Sequence, residues 1–287
     1  MAINFPEPKQ ITIVIDYISY CVTAGIYYSN GFTSSPSVVS GYKGHVLDHN
    51  PETNCVFDTN ASTDASLIMA GNDGTTGRTG ISYAFLDHTN LHTADSDNAK
   101  CSPYFYTGSG GTQAITGIYN ISGGRVNGAG LCVFKSSASA TLRGVIIDKE
   151  SGGFSADLGI KYLHTGLGYT LPSNSTSQIK FNSRYNNKVQ RNIGGHQFST
   201  FRNKGGSYII SAEWDFIKWD GDNSVEDYLE IPQYTLGSHL PVGLILNSTD
   251  ASALANEQNY LFARITKWDI SQTSVNSWKI SAEFTSI

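Results

Sequence analysis

Two carboxylates, Glu213 and Asp215, stand two residues apart in YIISAEWDF (208–216), a segment that alternates like a β-strand. Alternate residues of a strand share a face, so the two carboxyl groups would lie about 7 Å apart, within the range for an inverting glycosidase. The shared face is the polar one, however, and a general acid needs burial or a like charge to raise its pKa. The pattern favours ordinary surface charge. The chain also contains no GxSxG, no P-loop and no dinucleotide-type glycine pattern, so we expect it not to be an enzyme.

Two acidic turns are candidate calcium sites, 220–224 (DGDNS) and 95–98 (DSDN). The first begins like an EF-hand loop, with oxygen ligands at alternate positions. Such a loop has glycine at its sixth position and glutamate at its twelfth, where this chain has Val225 and Ile231. Plain turns are therefore the favoured interpretation, calcium remains the alternative, and no other cofactor is expected.

The segment 81–93, ISYAFLDHTNLHT, combines a strand pattern with a polar turn. Asp and Asn side chains in such a turn can hydrogen-bond nearby backbone amides. His88 and His92 are four residues apart, but the pattern here is strand and turn, and HExxH is absent, so zinc is not expected. A structural turn is predicted, built from Asp87, His88, Asn90 and His92.

Composition indicates an all-β protein. The 287 residues include 29 Gly, 16 Tyr and 13 Phe, while charged residues make up only 15%. A net charge of −5 gives no reason to expect nucleic acid. The N-terminus has no signal-peptide pattern, and its apolar run at 11–15 is too short to span a bilayer, so no membrane association is expected. Four widely spaced cysteines without a CxxC favour free thiols in a reducing cytoplasm.

Short strands joined by turns predict two β-sandwich or jelly-roll-like domains in tandem. A proline-bearing N-terminal arm is expected at 1–9, followed by domains at 10–150 and 151–287, with the boundary near the polar segment 149–153. A strand is predicted over 21–28. The best helix candidate follows Asp250, over one or two turns.

Two aromatic strands in the second half share the pattern ISAEW/ISAEF, in 208–216 and in WKISAEF (278–284). One face of each carries the apolar side chains, and the other carries Ser, Glu and Lys or Asp. The first strand would bury Trp214 and Phe216 on the same face. We expect both strands to occupy similar environments in a sheet.

Carbohydrate binding is a further alternative, because β-sandwiches often bind sugars with exposed aromatic rings beside Asn or Asp. Trp219 is the strongest candidate, since it stands beside Asp220 and Asp222 at a turn, and we assign these three as a candidate glycan or partner contact. The full set of candidate rings is Tyr27, Tyr28, Tyr104, Tyr106, Trp219 and Trp268.

The stretch 83–91, YAFLDHTNL, resembles the strand and His-Asn-Leu turn of β-sandwich virion proteins in tailed bacteriophages. Here Thr89 separates His88 from Asn90, which departs from that turn. Three further segments resemble segments of those proteins. They are an Arg/Tyr-rich segment at 183–192 (SRYNNKVQRN), an aromatic strand at 211–216 (SAEWDF) and an apolar segment at 240–247 (LPVGLILN). The resemblance covers 81–93 and 180–284. It implies a tail, baseplate or other virion component that is made in the host cytoplasm.

The expected role is therefore non-enzymatic assembly within a virion, most simply in the tail or baseplate. An N-terminal arm and a C-terminal edge strand are both means of joining neighbours. The expected partners are other virion proteins and further copies of the same chain. The alternative is an adhesin module that binds host surface glycans.

Overall fold

The computed structural model describes residues 8–24, 32–35, 37–48, 53–59, 66–71, 78–88, 101–106, 112–114, 118–119, 131–142, 144–149, 156–172, 179–184, 187–191, 197–201, 207–221, 224–250, 254 and 259–287. Its strands are β1 (Thr12–Asp16), β2 (Phe32–Ser35), β3 (Val38–Gly41), β4 (Cys55–Phe57), β5 (Ser66–Gly71), β6 (Arg78–His88), β7 (Cys101–Tyr106), β8 (Thr112–Ala114), β9 (Ile118–Tyr119), β10 (Leu131–Leu142), β11 (Gly144–Lys149), β12 (Leu158–Thr170), β13 (Lys180–Arg184), β14 (Asn187–Arg191), β15 (Gln197–Phe201), β16 (Ser207–Ile217), β17 (Val242–Ile245), β18 (Tyr260–Ser274) and β19 (Ser277–Ser286). The helices are α1 (Tyr17–Ala24), α2 (Val225–Tyr234) and a 3-10 helix (Lys43–Leu47). The predicted all-β class is confirmed.

The strands of the described residues form one large antiparallel sheet and two smaller ones. The large sheet has 12 strands, with the order β13-β16-β19-β18-β17-β1-β12-β6-β10-β9, and β3 and β4 join it through β12. A second sheet of five strands has the order β2-β5-β11-β7-β8, and β14 and β15 form a two-stranded sheet. The large sheet carries the candidate site, since β16, β18 and β19 are neighbours in it.

Strand β1 lies at the centre of the large sheet and joins the two halves of the chain. It pairs with β12 on one side and with β17 on the other, both of which come from the second half. The sheet is therefore continuous across the expected boundary at 149–153, and the tandem arrangement of two domains is not confirmed. The jelly-roll topology and the N-terminal arm at 1–9 also remain predictions.

Both faces of β1 are covered. Ile13 and Ile15 belong to the main apolar cluster, which also contains the buried side chains of α2. Val14 points the other way, into a smaller cluster with Phe85 and Tyr260. A strand buried on both faces reads as a continuous apolar run, which explains the sequence TIVID.

Helix α1 occupies part of the segment predicted as a strand. The prediction for 21–28 is wrong over 21–24, and residues 25–28 lie outside the described residues. The carboxylate of Asp16, the last residue of β1, accepts a hydrogen bond from the Ser19 backbone N–H at 3.1 Å. This is N-cap geometry, and it stabilises a helical turn despite the low helix propensity of YISYCVTA.

Helix α2 was not predicted from the sequence, and Pro232 lies inside it. The helix nevertheless forms, since its residues Val225, Tyr228 and Ile231 recur every three positions and are buried against the sheet. The Ser224 N–H donates to the Asp227 carboxylate at 3.1 Å at its start. The predicted helix after Asp250 falls largely outside the described residues.

The two similar segments of the second half pair with each other. Strands β16 and β19 are antiparallel neighbours, in register so that Ala212 lies opposite Ala282. Trp214 of the first segment and Ile280 and Phe284 of the second are buried, whereas Phe216 is 75% exposed. The two segments therefore lie in similar environments except at Phe216.

Candidate interaction surface at the end of β16

A β-bulge interrupts β16 near its end. Two residues of β16, Asp215 and Phe216, lie opposite a single residue of β19, Lys279. The extra residue shifts the alternation, so Ile217 returns to the core at 2% exposure while Phe216 is 75% exposed. The sequence predicted Phe216 on the buried face beside Trp214, and that prediction is wrong.

The backbone of Phe216 is strained. Its φ of 60° lies in the left-handed region, which costs an L-residue with a Cβ roughly 1–2 kcal/mol. Glycine or asparagine would be the usual residue at such a position. The chain instead holds a large aromatic ring there and exposes most of it to water. A strained residue of this kind points to a role outside the fold itself.

Trp219, three residues further on, is held in a fixed position. Its ring centroid lies 4.8 Å from that of Trp278, with the ring planes inclined at 48°, and 42% of the residue remains exposed. The backbone around it is tied to the start of α2, because Val225 N–H donates to the Lys218 carbonyl at 2.9 Å and Glu226 N–H donates to the Trp219 carbonyl at 3.2 Å. We call the exposed side chains of Phe216 and Trp219 the aromatic surface.

The predicted contact residues fall partly on this surface. Trp219 and the adjacent Asp220 are both exposed. Asp222 lies outside the described residues, so its place in the candidate contact stays a prediction.

The carboxylate of Glu213 is not prepared for acid catalysis. Lys279 Nζ donates to Glu213 Oε2 at 2.8 Å, and this hydrogen bond lowers the pKa of the Glu213 carboxyl from its ordinary value. A general acid requires a shift in the opposite direction. The side chain is also 46% exposed. This geometry fits an ion pair on a solvated sheet face.

A buried polar network, which the sequence did not reveal, lies where β1 meets β12. Asp16 is at its centre: its carboxylate accepts hydrogen bonds from Ser19 Oγ at 2.6 Å and Tyr162 Oη at 3.1 Å, and from the Thr165 N–H at 3.4 Å. Tyr162 Oη also lies 3.1 Å from His164 Nδ1. All members of this Asp16 network are buried, so no substrate can reach it, and its role is structural. Nothing in the sequence spacing links Asp16 with His164, because only strand pairing brings them together.

His164 is neutral in the folded protein. Burial lowers the pKa of its imidazole to about 3. Its Nε2 lies 2.8 Å from the Val14 carbonyl, so we assign the single imidazole proton to Nε2. Burial, followed by the nearby Asp16, raises the pKa of the Tyr162 hydroxyl. The ring of Phe262 packs against both side chains, edge-on to Tyr162 at a centroid distance of 4.8 Å and tilted to His164 at 5.9 Å.

Acid should therefore destabilise the protein through His164. The unfolded imidazole titrates near pH 6.5, whereas the folded one stays neutral down to about pH 3, so between these values the unfolded chain binds more protons. The stabilisation is complete above pH 6.5 and is lost as the pH falls toward 3. When the pH is lowered from about 7 to about 5, we expect the free energy of unfolding of the wild-type protein to fall by about 2 kcal/mol more than that of a His164→Gln variant. The glutamine side chain does not titrate.

Urea unfolding of both proteins at the two pH values measures this difference. The glutamine variant keeps an N–H donor for the Val14 carbonyl, so the comparison isolates the titration. Parallel pH dependences in the two proteins would contradict the neutral, buried assignment.

The predicted turn at 81–93 is only partly described. Strand β6 runs to His88, and it pairs with β12 and β10. Asp87 is half-buried and lies opposite Tyr162 of β12. Asn90 and His92 lie outside the described residues, as does the side chain of His88, so the structural role of the turn stays a prediction.

Within the described ranges, no group of three or more His, Cys, Asp and Glu side chains is arranged to hold a metal ion. The acidic segment 95–98 lies outside those ranges. Cys55 is a free, buried thiol, and burial raises its pKa to about 11, so it stays protonated at neutral pH. None of the helices in the described part of the chain has the length and apolar character needed to span a membrane.

Comparison with known proteins gives no family. No protein-family model matches the sequence, and no curated protein matches it. Among solved structures, a carbohydrate-binding module, CBM32-1, from a family 31 glycoside hydrolase of Clostridium perfringens is similar at 12% identity and a TM-score of 0.34, over 48% of this chain and 98% of that chain. A chain from the tail of an empty GTA particle is similar at 13% identity and a TM-score of 0.22, over 67% of this chain and 93% of that chain. Likenesses at these scores carry no functional argument.

Proposed function

We propose that the chain is a non-enzymatic structural component of a tailed-phage virion, in the tail or baseplate, and that it works by contact with neighbouring proteins. The observation that carries the proposal is Phe216, a strained aromatic side chain that a β-bulge turns out of the core. Its first partner in this proposal is a further copy of the same chain, with other virion proteins as additional neighbours.

The aromatic surface has the properties of a contact site. Large aromatic side chains are enriched at the centres of protein interfaces, where they act as anchors. Trp219 is held by Trp278 and by the start of α2, so little conformational entropy would be lost when a partner covers it. The large sheet behind it provides a rigid support.

The polar chemistry of the described residues also fits assembly better than catalysis. Glu213 is paired with Lys279 and has a lowered pKa, and His164 is neutral and enclosed. A protein that assembles in the host cytoplasm and remains in the virion needs stable surfaces and a rigid core. The ion pair of Glu213 with Lys279 stabilises a surface, and the enclosed His164 is part of the core.

The variant Phe216→Asn separates assembly from folding. Asparagine tolerates the left-handed backbone, so the variant should unfold at the same temperature as the wild type or higher. It removes a ring whose burial contributes about 1.5–3 kcal/mol. We therefore expect self-association, measured by analytical ultracentrifugation of the purified chain, to weaken about ten- to a hundredfold.

A matched control is Val275→Ser, at the tip of the β18–β19 hairpin, where Val275 is 86% exposed. It removes an exposed apolar group elsewhere and should leave self-association unchanged. A wild-type protein that remains monomeric, or association that survives Phe216→Asn, would contradict the proposed contact.

A second candidate function is the binding of host surface glycans, which the Trp219–Trp278 ring pair beside Asp220 favours. Trp219 remains 42% exposed, and the carboxylate of the adjacent Asp220 could accept hydrogen bonds from sugar hydroxyls. Reproducible binding on a glycan array that is lost in Trp219→Ala would favour this function, whereas the absence of binding would leave assembly as the role of the surface.

A further inference from the structure

Strand β18 has an edge that extends beyond its neighbour β17. On one side β18 pairs with β19 as far as Ser274, whereas on the other side its pairing with β17 covers only 260–263. Pro241 precedes β17, and it has no N–H with which to continue the ladder. Among the described strands, none pairs with this side of β18 after Ala263. We call residues 264–274 on this side the β18 edge.

Open space lies beside the first part of the β18 edge. The chain before β17 turns away from the strand, and Arg264 Nη1 holds that turn by donating to the carbonyls of Ser238 and His239. A cavity of about 260 Å³ separates this turn and the end of α2 from residues 265–268. An additional strand could therefore approach the edge here without displacing the described part of the chain.

The side chains of the β18 edge are sorted by face. A β-bulge at Thr266 precedes the regular part of the edge. After it, Trp268 and Ile270 are half-buried and pack against the main apolar cluster. Lys267 and Asp269 alternate with them and lie on the outer face, where 57% and 60% of their side chains are exposed. A strand that adds to this edge would meet one apolar face and one charged face.

The two charges on the outer face are self-complementary. Suppose that a second copy pairs antiparallel, with the two Trp268 residues opposite each other. Lys267 then lies opposite Asp269 of the second copy, and Asp269 lies opposite its Lys267, so two opposite-charge pairs form. Centring the pairing on Asp269 instead would place two carboxylates opposite each other, which is unfavourable. Charge therefore selects one register.

We propose that the β18 edge pairs with the β18 edge of a second copy of this chain, antiparallel and about a two-fold axis at Trp268. The unpaired backbone groups of a strand edge can accept another strand, so the sheet would continue across both copies. A two-fold contact requires a patch that complements itself, and the pattern of Lys267 and Asp269 meets this requirement. The two Trp268 rings would lie side by side on the apolar face, next to the cavity.

Lysine and bulges also occur at sheet edges that are protected from pairing. Lys267 alone would act in this way, but Asp269 on the same face makes it one half of a complementary pair. Glu283 of β19 lies opposite Lys267 on its other side. In the proposed register the charges would alternate across three strands, in the order Glu283, Lys267 and Asp269 of the second copy.

This inference rests on the proposed assembly role, in which copies of the chain contact each other, but it uses neither Phe216 nor Trp219. The contact is short and its ion pairs are exposed, so we expect it to be weaker than the contact at the aromatic surface. It becomes effective where copies are already held close together, as in a particle. Its test must therefore trap a weak contact and identify its register.

Disulfide trapping between two variants of the full-length chain reads the register directly. In a mixture of Lys267→Cys and Asp269→Cys chains, the new thiols lie opposite each other, within the Cα separation of about 4.4–6.8 Å that a disulfide allows. The second pair of the same dimer, Asp269 of one chain and Lys267 of the other, keeps its opposite charges. The mixture is oxidised in a glutathione buffer at about 1 mM chain, where even a millimolar contact is partly formed.

Three controls accompany this mixture. Each variant alone places its thiols two positions out of register. A mixture of Lys267→Cys with Ser271→Cys reports the alternative register centred on Asp269. The wild-type chain reports the background from the native cysteines, and thermal unfolding establishes that each variant is folded.

The remaining ion pair of the trapped dimer tests the charge argument. Adding Asp269→Lys to the first variant, or Lys267→Glu to the second, places like charges opposite each other, and the trapped fraction should fall about fivefold in either case. Combining both changes restores opposite charges and should restore trapping. Each chain has already lost one member of its own Lys267–Asp269 pair to cysteine, so this rescue reports contact between copies.

We expect trapping in the mixture of Lys267→Cys with Asp269→Cys and only background in the controls. Equal trapping in the mixture with Ser271→Cys, no trapping above the wild-type background, or the lack of rescue by the combined charge changes would overturn the pairing. If trapping fails while self-association still depends on Phe216, the pairing is wrong and the assembly proposal stands. Register-specific trapping by a chain that is absent from phage particles would support the pairing and contradict the virion role.

Discussion

Replacing Asp16 with alanine is expected to lower the free energy of unfolding by about 3–5 kcal/mol. The carboxylate caps α1 through the Ser19 N–H and also accepts from Ser19 Oγ and Tyr162 Oη. The variant would lose the cap, worth about 1 kcal/mol, and would leave buried donors without acceptors at about 1–3 kcal/mol each. Since a typical domain is stable by only 5–15 kcal/mol, this change should be visible in urea unfolding.

Asp269→Ala is the matched control. Asp269 forms an ion pair with Lys267, but 60% of its side chain is exposed, so its loss should change stability by no more than about 0.5 kcal/mol. Equal effects of the two substitutions would contradict the structural role of the Asp16 network.

Gly166→Ala is expected to be similarly severe. Gly166 of β12 lies opposite Asp16 of β1, and a Cβ at this position would overlap the carbonyl oxygen of Ile15 and meet the Tyr17 nitrogen at 3.2 Å. These are backbone atoms at the centre of the large sheet, so no side-chain rotation can relieve the overlap. We expect a loss of about 3 kcal/mol or more, or failure to fold.

Gly243→Ala on the other side of β1 is its control. A Cβ there would meet the ring of Phe85 at 2.8 Å, and a side chain can move more easily than a strand. We expect a smaller loss, of about 1–3 kcal/mol. If chemical denaturation shows Gly166→Ala to be at least as stable as Gly243→Ala, the close pairing of β1 and β12 is wrong.

Strands with a strong alternating or continuous apolar pattern could be predicted from the sequence. Segments 11–16 and 242–246 correspond to β1 and β17, and the paired aromatic segments correspond to β16 and β19. Local side-chain pattern determines these strands, because burial of one or both faces requires it.

Features that depend on distant contacts could not be predicted. Helix α1 begins because Asp16 caps it, and Asp16 is placed by a sheet that includes residues about 150 positions away. The outward position of Phe216 depends on a bulge. One extra residue in a strand moves each following side chain to the opposite face of the sheet. The prediction assumed that side chains alternate between the two faces along the whole strand, and it therefore placed Phe216 in the core.

The candidate site was predicted in part. Trp219 and Asp220 could be recognised because a turn signal places them together, and the structure exposes both. Trp268 was one of several candidate rings, but no sequence signal distinguished it. Its cavity arises from the bulge at Thr266 and the turn after α2, which come together only in the folded sheet.

The most direct test of the central claim, assembly into a virion, is quantitative mass spectrometry of density-gradient-purified phage particles from cells that express this chain at its natural locus. We predict that the chain is present in multiple copies per particle, at a ratio to the other virion proteins that stays constant across the particle peak. Absence of the chain from the particles, while it is abundant in the soluble lysate of the same cells, would contradict the account.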